Sequence, residues 1–112
     1  MVDSRQTQIL KGLVELALLS LLEERPHYGL DILDRLRAEA GLGLAEGTVY
    51  PLLHRLERGG LTQAEWRLDD EGTHPRKYYA LTKSGRAELV KQVAEWRQLS
   101  KTLGNFLGRR RT

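Results

Sequence analysis

The chain has 112 residues, no cysteine, and 18 lysines and arginines against 15 acids, for a formal net charge of +3. That length suits one domain with a single core, and the lack of cysteine excludes a disulfide framework and any thiolate metal site. The charge is uneven: beyond residue 80, eight cationic side chains meet only Glu88 and Glu95, so the remainder is net negative and total charge does not identify a partner.

Taken in chain order, the first predicted helix spans Thr7 to Glu24. Ile9, Leu10, Leu13, Leu16, Ala17, Leu18, Leu21 and Leu22 leave it little polar face, as in a central core helix. Its greasiest run, Leu13 to Leu22, contains Glu15 and Ser20 and is too short to span a bilayer. No signal peptide is recognised, so the expected location is the cytoplasm, without a membrane partner. Pro26 separates this helix from a second, His27 to Ala40, with Ile32, Leu33, Leu36 and Ala40 as its apolar stripe. Asp31, Asp34, Arg35 and Arg37 are expected to face water, and Gly41 to cap the C-terminus.

A third helix starts near Glu46 to Thr48, with Thr48 a candidate cap, and Gly59-Gly60 stops it. Pro51 requires a start that close, because proline is tolerated where N–H groups have no intrahelical partner. At 100° per residue, Val49, Leu52, Leu53 and Leu56 share one stripe. Gly47, Tyr50, Pro51, His54 and Arg58 are expected on the opposite side. A helix apolar on one side and polar, aromatic and basic on the other suits insertion into a DNA major groove. An ordinary amphipathic helix with a solvated face has the same pattern, so the flanking segments must decide.

Leu61 to Arg67 reads as a strand, 68–75 as a polar turn segment, and Arg76 to Leu81 as the return strand. The expected fold class is therefore mainly α with a small two-stranded wing. It combines a winged helix-turn-helix region (1–82) with a C-terminal dimerisation helix and basic tail (83–112) in one compact domain. Thr82 caps that last helix, predicted from Lys83 to about Leu107 and roughly 35–40 Å long. Leu89, Val93, Trp96, Leu99, Leu103, Phe106 and Leu107 recur at steps of three and four along it. A small core cannot cover so long a stripe, which points to a symmetric pair of such helices, with packing on helix one as well. Trp96 is the candidate ligand residue: near a twofold axis two indoles would frame a slot for a flat aromatic inducer, although plain dimer packing also explains it.

In a DNA complex, Gly47 and Thr48 would lie near phosphate at the helix N-terminus. Tyr50 and His54 would reach base edges or phosphates, and Arg55 and Arg58 the backbone. Glu46 would accept from cytosine or cap its own helix. His74, Arg76 and Lys77, with Thr73, form a wing tip for phosphates or the minor groove, opposed by Asp69, Asp70 and Glu71. Tyr28 would donate to a phosphate or pack under helix three. His27, His54 and His74 are far apart, no triad stands out, and no cofactor is expected; the chain does not read as an enzyme.

Leu10-Lys11-Gly12, Tyr28-Gly29, the block Glu46-Gly47-Thr48-Val49-Tyr50-Pro51-Leu52-Leu53-His54-Arg55-Leu56-Glu57, Gly60-Leu61, Pro75-Arg76-Lys77-Tyr78-Tyr79 and Leu81-Thr82-Lys83-Ser84-Gly85 carry a resemblance. They resemble the PadR family of transcriptional regulators across roughly residues 9–107, in its short subfamily with a single C-terminal helix. The resemblance implies a prokaryotic homodimer that binds double-stranded DNA, usually a repressor at an inverted repeat. Ala45 departs from the family, in which serine commonly precedes the Glu-Gly-Thr block, so a local cap is lost. Two alternatives stay open: a winged helix that binds protein, and an architectural DNA binder without sequence choice.

Overall fold

The computed structural model describes residues 12–68, 72 and 74–109. Helices α1 (Val14–Glu24), α2 (Gly29–Ala40), α3 (Glu46–Arg58) and α4 (Lys83–Gly108) surround one face of a sheet formed by β1 (His27–Tyr28), β2 (Thr62–Leu68) and β3 (Pro75–Leu81). The sheet is antiparallel, in the order β1-β3-β2.

α1 begins at Val14, after a turn at Gly12 and Leu13, rather than running unbroken from Thr7. Glycine is a poor helix former, and residues 7–11 lie outside the described ones. The short β1 adds a strand to the expected two-stranded wing. Pro26 drives the residue before it out of the helical region, Arg25 is extended (φ −174°, ψ 170°), and His27–Tyr28 continue extended to pair with Tyr79 and Tyr78. Helix two therefore starts at Gly29 and not at His27.

The expected stops hold. Gly41 takes a left-handed conformation (φ 70°) after α2, and the Leu42 N–H donates to the Leu36 carbonyl at 3.0 Å. Gly60 (φ 77°) turns the chain out of α3, and the Leu61 N–H reaches the Leu56 carbonyl at 3.0 Å. The core joins Leu18, Leu19 and Leu22 of α1, Ile32 and Leu36 of α2, Val49, Leu53 and Leu56 of α3, and Tyr79 and Leu81 of β3. Arg35 is half-buried rather than open to water: it bridges Glu24 of α1, at 2.9 Å, and Glu39.

α4 is fastened at its start. The Thr82 hydroxyl donates to the Gly60 carbonyl at 2.6 Å and accepts from the Gly85 N–H at 3.0 Å. Leu89 is buried in the protomer's own core and Val93 packs at its edge, so Leu89 is not a surface residue awaiting a partner. From residue 94 onward every described residue of the helix is exposed. The radius of gyration is 16.2 Å, against about 13 Å for a compact chain of 100 residues, because this half of α4 projects from the body.

Candidate nucleic-acid interface

α3 presents its outer side much as its periodicity requires, with two corrections. Glu46, Gly47, Thr48, Pro51, His54 and Arg58 are exposed, while Val49, Leu53 and Leu56 are buried. Among the described residues, neither the His54 nor the Arg58 side chain has a hydrogen bond or ion pair, so both face solvent uncommitted. Tyr50 is only half-exposed: a Cβ added at buried Gly29 would land on its ring and hydroxyl, so the phenol lies flush against the start of α2. Burial, then the nearby Glu46 charge, raises its pKa. Arg55 turns the other way, to α1, where it donates to Glu15 at 3.2 Å. At 3.6 residues per turn these two side chains stand about 140° apart; each sits on a flank of the face that holds Gly47, Pro51, His54 and Arg58.

The cap of α3 also differs from expectation. Ala45 holds that position without a side-chain hydrogen bond, and Thr48 lies inside the helix, its N–H donating to the Ala45 carbonyl at 3.0 Å. The N–H groups of Glu46 and Gly47 consequently have no intrahelical acceptor and point out of the helix end, a setting that favours anions. Pro51 is the sixth residue of α3, and the helix passes through it unbroken. Its missing N–H leaves the Gly47 carbonyl without the usual donor four residues on.

Strand alternation splits the basic wing. On β3, Lys77, Tyr79 and Leu81 face the helices, whereas Arg76 and Tyr78 face away. Lys77 pairs with Glu57 of α3 at 3.4 Å and lies 5.3 Å from the Tyr79 ring centre. Burial alone would lower its pKa, but Tyr79 and Glu57 outweigh it and the net direction is up. Arg76 instead lies over the Tyr28 ring, at 4.5 Å. Tyr28 is thus not under helix three; it sits on the outer sheet face, edge-on to Tyr78 at 5.4 Å, and Tyr79 takes the core position. His74 is exposed at the wing, and Thr73 lies outside the described residues. Sequence reasoning missed Arg67, over Tyr78 at 5.0 Å, and the exposed Trp66 and Leu68 on the other face of β2. Their alternation was legible, but the pairing register needed to place them was not.

On α4, Trp96, Leu99, Leu103, Phe106 and Leu107 remain 45–64% exposed. Trp96 borders two clefts between α1 and α4, of about 490 and 370 Å³. Among the described residues, no group of three or more histidines and acids is placed to hold a metal, and no helix is long and apolar enough to cross a membrane.

A recognition helix set on a helix-turn-helix core and followed by a β-hairpin defines a winged helix-turn-helix DNA-binding protein. The chain belongs to the transcriptional regulator PadR-like family, which residues 18–91 match. It is similar to a PadR-like transcription factor from Bacteroides fragilis, at 39% identity over 93% of this chain and 99% of that one, with a TM-score of 0.74. A PadR-like regulator from Bacillus cereus is 30% identical over 89% and 96% of the two chains, with a TM-score of 0.82. One from Eggerthella lenta is 36% identical over 93% and 89%, with a TM-score of 0.80. The protein is accordingly a DNA-binding transcriptional regulator, in a family of regulators and not of enzymes.

Proposed function

We propose that the protein is a homodimeric repressor of a prokaryotic cytoplasm that binds an inverted-repeat operator. The observation that carries this reading is α3, whose apolar side is spent in the core while Gly47, Pro51, His54 and Arg58 face solvent. Each protomer lays that face in a major groove, with Gly47 and Thr48 backing a phosphate at the helix end. His54 reads base edges and Arg58 holds the backbone; Glu46 is placed to accept from a cytosine. Tyr50 serves mainly to fix the helix against α2 and touches DNA only from its flank, whereas Arg55 is exposed, its pair with Glu15 is weak in water, and it leaves that pair to meet the backbone. The wing, through His74, Arg76 and Thr73, meets the flanking backbone, with Tyr28 donating to a phosphate beside it. Lys77 reaches DNA only if it leaves Glu57.

The dimer forms through the projecting half of α4, by Trp96, Leu99, Leu103, Phe106 and Leu107, with Val93 at the margin. Support comes from the apolar side chains left in water there, since five such residues in one stripe make a patch that a soluble chain normally covers. Pairing would present the two recognition helices to half-sites roughly 34–36 Å apart. A planar aromatic inducer would lodge beside Trp96, which borders both clefts.

The test is selection of bound duplexes from a random pool by the purified protein, followed by sequencing. The expected result is an enriched inverted repeat with half-sites about one turn apart. Binding without enrichment would leave an architectural protein, and no binding at low salt would leave a protein-interaction module.

A further inference from the structure

Arg67 and Arg76 are register partners, directly opposite each other across β2 and β3, and both are exposed. Opposed side chains in an antiparallel pair start with Cβ atoms about 5 Å apart, and like charges so placed destabilise the sheet. The core lies on the other face, so neither guanidinium is needed for packing there. Each guanidinium is also braced by an aromatic ring, Arg76 by Tyr28 at 4.5 Å and Arg67 by Tyr78 at 5.0 Å. The two rings brace each other at 5.4 Å. A guanidinium held by its face keeps its N–H donors along its edges, the geometry that grips a phosphate.

We propose that Arg67 joins Arg76 on the outer face of the wing, and that the two guanidinium groups clamp one backbone phosphate of the duplex. The inference rests on the DNA-binding reading given above and adds to it one residue, Arg67, that the wing tip does not include, and a single phosphate shared with Arg76. This face and α3 are continuous: Tyr28 carries Arg76, and the next residue, Gly29, carries the Tyr50 ring of α3. Glu65 shares the outer face and holds Arg67, with Nε 2.7 Å from its carboxylate. That exposed ion pair is weak in water, so an arriving phosphate displaces Glu65. The carboxylate acts as a competitor that keeps the unliganded arginines from repelling each other.

Two variants with opposite expected signs test this. Full-length protein is titrated into a labelled duplex of random sequence long enough to extend past both wings, over a range of salt. Arg67→Gln should weaken binding several-fold at low salt and reduce the slope of log affinity against log salt by about one. Glu65→Gln should strengthen binding several-fold, a gain that misfolding cannot produce. If the wild type binds duplex with a steep salt dependence and both variants match it, the clamp is wrong and the DNA-binding reading stands. If the wild type binds no duplex, that reading fails and the clamp with it. If Arg67→Gln changes binding to single-stranded DNA alone, the face is a stacking platform for unpaired bases and the clamp is again refuted.

Discussion

Replacing Gly85 with alanine tests the joint that fixes α4 to the wing, because two physical effects there have opposite signs. Gly85 is the third residue of a helix, where alanine is intrinsically favoured by up to about 1 kcal/mol. Yet a Cβ at this buried position would overlap the Leu61 carbonyl and crowd the Leu81 side chain. The obstacle is backbone, so it cannot swing aside as a side-chain tip would. Relief requires the first turn of α4 to withdraw from the start of β2, which strains the Thr82 N–H bond to the Leu61 carbonyl (3.1 Å) and the Thr82 hydroxyl bond to the Gly60 carbonyl (2.6 Å). Overpacking of this kind costs about 1–3 kcal/mol, and two weakened hydrogen bonds cost about 0.5–1.5 kcal/mol each. After the propensity gain, a net loss of about 1–5 kcal/mol remains. That is a substantial part of a small domain's stability and corresponds to a fall in Tm of about 5–25 °C. The assay is urea and thermal unfolding followed by circular dichroism, at one fixed protomer concentration because a dimer's stability depends on it. A variant as stable as the wild type, or more so, would refute the close approach of α4 to β2.

Other outcomes follow from the same structure. Gly47→Ala meets no atom within 4 Å, so it should leave the fold intact or stabilise it by up to about 1 kcal/mol while weakening DNA binding several-fold; unchanged affinity in a binding titration would place Gly47 away from phosphate. Leu103→Glu, at a position 48% exposed and clear of the core, should yield folded monomer in sedimentation experiments, because an unpaired charge between the helices weakens association by about 3 kcal/mol, or roughly a hundredfold; a persistent dimer would remove α4 from the interface. His54→Ala should narrow the gap between operator and random duplex in a competition assay, and equal loss on both would make His54 a backbone contact.

The helix order, the glycine stops, the Thr82 cap and the apolar side of α3 were all legible in the chain. Each depends on interactions within a few residues: a 3.6-residue period, a positive φ, a side chain reaching its neighbouring N–H. The exposed positions of Gly47, Pro51, His54 and Arg58 follow from that period alone, since whatever the core is made of, the opposite side faces out. Ala45 shows the limit of the same logic: the missing serine was visible, but the helix still begins after it, held by contacts that α3 makes elsewhere.

Flanks and registers needed the tertiary structure. Tyr50, expected on the outward side, and Arg55 lie at the two edges of that side, so what they touch depends on where α2 and α1 lie: Gly29 takes one and Glu15 the other. Neighbouring residues Arg76 and Lys77 look like one basic patch in the chain, but the pleat sends them to opposite faces, and only the pairing with β2 decides which face meets α3. Leu89 and Leu103 likewise sit on one continuous stripe, two turns of which the protomer covers itself. Sequence determined which side chains are apolar, which are charged and how they recur along each element, because those properties are local. The tertiary structure decided which of them are used up within the protomer and which are left for DNA or a second subunit, because that depends on the distance between elements remote in the chain.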